Sequence, residues 1–103
     1  MDIQQLTDEM NRFVEAKGRY RPTSRAPQTP RNIAASLAIE AAEVLEHFQW
    51  TESPRKPEAL AGELADVALY LLQLAYLTHI DLEQAIQDKL VVNYQRTWPE
   101  DEA

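Results

Sequence analysis

Two apolar stretches of this chain carry carboxylates in matched places. Residues 39–48 read IEAAEVLEHF and residues 62–71 read GELADVALYL. Aligned without a gap, Glu40 matches Glu63, Glu43 matches Asp66, and a valine follows each pair. Residues three apart on a helix share a face, so the members of each pair project together. If the two helices pack antiparallel across the short 51–57 segment, the four acids face one another near a bundle core. Four carboxylates at close quarters repel and lose hydration, so they require a cation or protons. Hard cations take oxygen ligands, and magnesium keeps several waters and meets substrate phosphates. Di-iron bundles use Glu-x-x-His instead. Here the fourth position is an acid both times, which favours Mg2+, or Mn2+ as the alternative, over iron. One Glu-x-x-Glu is ordinarily a solvated helix face. Two in register on strongly apolar segments are less common, and spacing alone leaves both readings standing.

The positioning elements are helical. Ile3, Leu6, Met10, Phe13 and Val14 follow helical spacing, so residues 3–17 are expected to form an amphipathic helix ended by Gly18. Residues 18–29 (GRYRPTSRAPQT) form a basic loop with Arg19, Arg21 and Arg25, and disorder is expected around its prolines and in the 100–103 tail. Thr29-Pro30 starts a second helix, which carries Glu40 and Glu43 and is expected to run to about Trp50. A third helix runs from about Glu58 to His79. It is apolar nearly all round between Val67 and Leu77, which points to burial on more than one side. Asp81 and Gln84 suggest a capping box for a fourth helix reaching about Arg96. No strand pattern appears. The fold class is all-α, a small bundle of about four helices completed by oligomerisation. Leu69, Leu72, Tyr76, Leu77 and Ile39 lie off the core stripes and are expected between subunits of a dimer or tetramer.

With 103 residues, a single domain over 1–103 is expected. A net charge of −7 argues against a nucleic acid polymer as partner. There is no cysteine, hence no disulfide, thiolate metal site or thiol nucleophile. The charged N-terminus shows no signal peptide, and the apolar run 67–72 is too short to span a bilayer. A cytoplasmic protein with no membrane partner is the expectation.

Two further groups stand out. Leu82, Ala85 and Ile86 set a stripe on the fourth helix that Lys89, Asn93 and Arg96 continue. Polar groups on a core-facing line need partners. Phosphate oxygens suit Lys89, a phosphate or sugar suits Asn93, and without substrate Lys89 is expected to pair with one of the four acids. The alternative is a last turn that has simply reached solvent. His47 follows Glu40 by seven residues on the same stripe. It is expected at the surface, with a supporting contact to the acids as the alternative. His79 is expected to end the third helix, where its charge suits the dipole.

Together these residues resemble the MazG-like all-α nucleoside triphosphate pyrophosphohydrolases, close to their dCTP pyrophosphatase branch. The resemblance covers roughly residues 12–99. The carrying motifs are EAAE and ELAD, with Pro30-Arg31-Asn32 before the acidic helix, Phe-Gln-Trp ending at Trp50, and Tyr70 within ELADVALYLL. HIDL and then Lys89 and Asn93 extend it. The chain departs from the branch at Ser24 and Gln28, which stand where a tryptophan and a histidine are usual. It departs again at NYQRTWP, which carries Trp98 for a tyrosine. Both departures fall on the base and sugar side of the pocket. The resemblance implies hydrolysis of a nucleoside triphosphate to monophosphate and pyrophosphate, with magnesium held by Glu40, Glu43, Glu63 and Asp66. The substrate expected is a deoxynucleoside triphosphate, dCTP-like or a modified pyrimidine, cleared as house-cleaning of the nucleotide pool. Glu43 or Glu63 is the candidate general base. Lys89, Asn93, Arg31 and Asn32 are implied to bind substrate, with Trp50 and Tyr70 as aromatic contacts to the base. The competing reading is a non-catalytic helical interaction module whose acids are surface groups.

Overall fold

A computed structural model describes residues 1–101. It consists of α1 (Ile3–Ala16), α2 (Pro30–Glu46), α3 (Pro57–Leu77) and α4 (Leu82–Gln95), then a 3-10 turn over Pro99–Asp101. No strand occurs among the described residues. Glu100 and Asp101, expected in a loose tail, lie in the turn, while Glu102 and Ala103 fall outside the described residues.

Short-range chemistry starts the helices. Asp2 and Gln5 cap α1 reciprocally, with side-chain to backbone bonds of 2.8 and 2.9 Å. Thr29 Oγ1 accepts the Asn32 N–H at 3.2 Å beside the N-terminal proline of α2. Asp81 Oδ1 accepts the Gln84 N–H at 3.0 Å. The box expected there is half formed, because the Gln84 amide turns outward to Asp88 (2.8 Å).

Two helices end in the same hydrogen-bonded wrap. After α1, the Gly18 N–H donates to Glu15 O and the Arg19 N–H to Val14 O, with Gly18 at φ +69°. After α3, the His79 N–H donates to Tyr76 O and the Ile80 N–H to Ala75 O, with His79 at φ +59°. A glycine takes that left-handed position without a Cβ clash, and a histidine does not. His79→Gly should therefore raise stability by about 1 kcal/mol, read as a higher urea midpoint at unchanged slope. An equal or lower midpoint would show that the His79 ring contributes more than the backbone strain costs.

α3 is the centre of the packing, with α2 on one side and α1 on the other. Both pairs are antiparallel. His47 at the end of α2 meets Glu63 near the start of α3, and Thr7 near the start of α1 shares a cleft with Ala75 near the end of α3. The buried apolar side chains are few: Met10 and Val14 on α1, Ile33 on α2, Ala75 on α3. The 18–29 loop is held rather than loose. Gln28 Oε1 accepts from Gln73 Nε2 at 2.7 Å, and Asn32 Nδ2 donates to Pro27 O at 2.9 Å.

Two expectations are corrected, and a third observation bears on α3. α2 stops at Glu46, with His47 as its C-cap, so Trp50 lies in a bend beyond the helix. α4 has no buried residue and belongs to neither close helix pair, so its Leu82–Ile86 stripe faces no core within one chain. Finally, α3 is long and apolar enough to cross a membrane by length and mean hydropathy (1.4), although the 67–72 run alone is short. Glu63 and Asp66 interrupt that helix on the side turned to α2.

The chain leaves much apolar surface open. Its accessible surface is 8178 Å², where a compact monomer of this mass would show about 5,900 Å². Its radius of gyration is 16.7 Å, against about 13 Å for a compact chain of this length.

Candidate active site

The site is built where α2 and α3 cross. The antiparallel pairing sets the Glu40/Glu43 side of α2 against the Glu63/Asp66 side of α3. Glu40 shows the consequence. Its carboxyl is raised above the ordinary value, first by partial loss of hydration, then by a hydrogen bond to Glu43 and by the charges of Glu43, Asp66 and Glu63. All four acids therefore act on one electrostatic locus. They do not close on one point, however. Among the described residues no three His, Cys, Asp or Glu side chains converge tightly enough to hold an ion. Glu63 is engaged with another side chain, since its Oε2 is bonded to His47 Nε2. In donor type the set fits a hard divalent cation: four carboxylates and no sulfur.

Beside the acids lies a cleft of about 260 Å³. Glu40 and Asp66 form its charged wall, and Met10, Phe13, Val14, Leu69 and Tyr70 its apolar one, with Arg19 at the side. A second cleft of about 440 Å³ shares Arg19 and Tyr70 and adds Arg25, Gln28, Asn32 and Ser36. Carboxylates, an apolar slot and guanidinium groups in sequence offer places for a cation, a base and an anion. Arg19 is half-buried, with its guanidinium carbon 5.4 Å from the centre of the Phe13 ring. The basic loop was visible in the sequence, but which arginine turns inward was not.

Gln73 is the other group that pattern reading passed over. It is buried and follows Asp66 and Tyr70 on one face of α3. Its Nε2 donates to Gln28 Oε1 (2.7 Å) and, at 3.4 Å, to Tyr20 OH, which donates to Asn11 Oδ1 at 2.5 Å. Burial keeps the Tyr20 phenol protonated to higher pH, as a donor. A lone glutamine in an apolar helix was the available signal, since a buried amide must find partners.

The remaining candidates are dispersed. Tyr70 lines both clefts and Asn32 the second, with one hydrogen of the Asn32 amide donated to Pro27 O. Arg31 is exposed and lines neither cleft. Trp50 is 86% exposed, outside both. Lys89 is exposed on α4 and Asn93 half-buried, and neither lines these clefts. The pairing expected for Lys89 does not occur: among the described residues the contacts between basic and acidic side chains are Arg12 with Glu9 and the His47 ring with Glu63. His47, expected at the surface, is 6% exposed, because α2 ends there and the 51–56 segment folds back over it.

A family model described as the MazG-like family matches residues 35–103. A mouse protein named dCTP pyrophosphatase 1 is 40% identical over 76 residues, covering 65% of this chain and 45% of its own length. A dATP/dGTP diphosphohydrolase of Salmonella phage PMBT28 is 47% identical over 38 residues, 37% of this chain and 13% of its own. This chain thus spans less than half the length of the curated relatives it matches. The crystal structure of a pyrophosphatase from Archaeoglobus fulgidus superposes with a TM-score of 0.75 at 33% identity, covering 89% of this chain and 88% of the other.

Proposed function

The chain belongs to the MazG-like family, and from that premise we propose that it hydrolyses a nucleoside triphosphate to the monophosphate and pyrophosphate. The observation that carries the reading is Glu40 standing among Glu43, Glu63 and Asp66, with Glu40 and Asp66 lining an apolar cleft. Two relatives are named for deoxynucleotides, dCTP in one and dATP or dGTP in the other. That supports a deoxynucleoside triphosphate here, dCTP or a modified pyrimidine first, with nucleotide-pool house-cleaning in the cytoplasm as the role.

Glu40, Glu43, Glu63 and Asp66 would hold Mg2+, or Mn2+ in its place. Bound there, the ion supplies charge neutralisation for the triphosphate and a more acidic water. Glu43 and Glu63 are the candidates to take the proton of the attacking water; one oxygen of Glu63 is held by His47. Tyr70 and the Met10/Phe13 wall give the base an apolar bed, and Arg19 and Arg25 offer bidentate donors to phosphate oxygens. The test is a panel of triphosphates with Mg2+ or Mn2+ and separate detection of pyrophosphate and orthophosphate. Pyrophosphate release from deoxynucleoside triphosphates is the expected result. No hydrolysis of any triphosphate with either ion would leave the non-catalytic interaction module standing.

The active form we propose is a homodimer, or a homotetramer built from two dimers. The chain exposes about 2,300 Å² more than a compact monomer would, within the range that obligate partners cover. Leu69, Tyr76 and Ile39, expected between subunits, stand open at 41, 50 and 61%.

A further inference from the structure

In a chain that buries few side chains, His47 is nearly enclosed, and each of its polar groups is used. Its carbonyl accepts the Arg55 N–H at 3.2 Å. Its Nδ1 accepts from the Lys56 backbone N–H at 3.4 Å. A neutral imidazole has one donor and one acceptor nitrogen. With Nδ1 accepting, the proton sits on Nε2, which faces Glu63 Oε2. The side chain of Glu63 is 26% exposed, open on one side and held on the other. His47 is also the C-cap of α2, so this contact ties an acid on α3 to the helix that carries Glu40 and Glu43.

We propose that His47 is a positioning residue, whose Nε2–H holds one oxygen of Glu63 and presents the other to the cation. The inference rests on Glu63 being a metal ligand. The arrangement follows a general rule: a ligating carboxylate is oriented by an outer hydrogen-bond donor, and losing that donor costs metal affinity. The 51–56 segment takes part, because its backbone N–H groups set the ring's tautomer and orientation.

The test compares His47→Leu, which keeps bulk without a donor, with His47→Gln, whose amide nitrogen reaches the place of Nε2. Mn2+ binding to the nucleotide-free protein is followed by electron paramagnetic resonance, and turnover and KM are measured separately. Expected is a loss of Mn2+ affinity of about 10–100-fold in His47→Leu, with kcat falling more than KM rises, and recovery of most of both in His47→Gln. Unchanged Mn2+ affinity in His47→Leu overturns the proposal, as does a His47→Gln protein no better than His47→Leu. A native protein that binds no Mn2+ overturns the metal reading itself, and this inference with it. Should His47→Leu fail to fold, imidazole 15N shifts of the native protein decide. The chain has only two histidines, and a proton found on Nδ1 of His47 would refute the arrangement.

Discussion

Glu40→Gln is expected to fold and to lose triphosphate hydrolysis by about a hundredfold or more, as is Asp66→Asn. A divalent ion on this chemistry is worth several kcal/mol of transition-state charge stabilisation, and 1.4 kcal/mol is tenfold in rate. Removing the charge of one carboxylate of four forfeits much of that. Stability should move the other way in the metal-free protein. The Glu40 carboxyl is raised above its ordinary 4.5 in the folded state, by lost hydration first and by Glu43, Asp66 and Glu63 after. A carboxyl raised on folding contributes stability below its unfolded value and loses it as pH rises through the folded value. Native protein without metal should therefore weaken from mildly acidic pH toward neutral, and Glu40→Gln should flatten that slope. Magnesium should restore the native protein at neutral pH, by linkage, and do little for the variant. Thermal melts from pH 4 to 8 with and without Mg2+ read both effects. Near-native turnover in two of the four amide variants would mean that the carboxylates are misassigned.

Leu90→Asp combined with Val91→Asp should break the assembly. These side chains stand 51 and 58% open on α4, with Ile86 and Val92 nearby at 43 and 50%. Covering the open half of each is worth roughly 1 kcal/mol, and a two-fold interface counts each residue twice. Losing about 4 kcal/mol weakens association roughly a thousandfold, before the cost of burying carboxylates. Sedimentation should show monomer at micromolar concentration, with activity lost in step if Lys89 and Asn93 serve the site from an assembled α4. Native protein that sediments as a monomer, or a variant that stays assembled, would remove α4 from the interface.

The helices and the pairing of acids along each helix were legible in the sequence because both are short-range. Asp2, Thr29 and Asp81 each cap through a backbone N–H within three residues, and an i, i+3 acidic pair shares a face whatever the rest of the chain does. The all-α class follows from the same periodicity. Helix ends were less legible. α2 stops at Glu46 because the His47 carbonyl and ring nitrogen are taken by backbone donors from the 51–56 segment, and nothing local announces that.

Only the tertiary structure decided which faces meet. The antiparallel pairing of α2 and α3 set Glu40 among Glu43, Asp66 and Glu63 and brought His47 to Glu63, 16 residues away. It turned Arg19 into the cleft and joined Gln73 to Gln28 across 45 residues. It also left Trp50 in solvent and α4 without a core, although the pattern of α4 suggests an inward stripe. The physical reason is common to all of these. Periodicity states that a face is apolar, but what covers that face depends on chain closure, on where loops fold back, and on surface that a single chain does not supply.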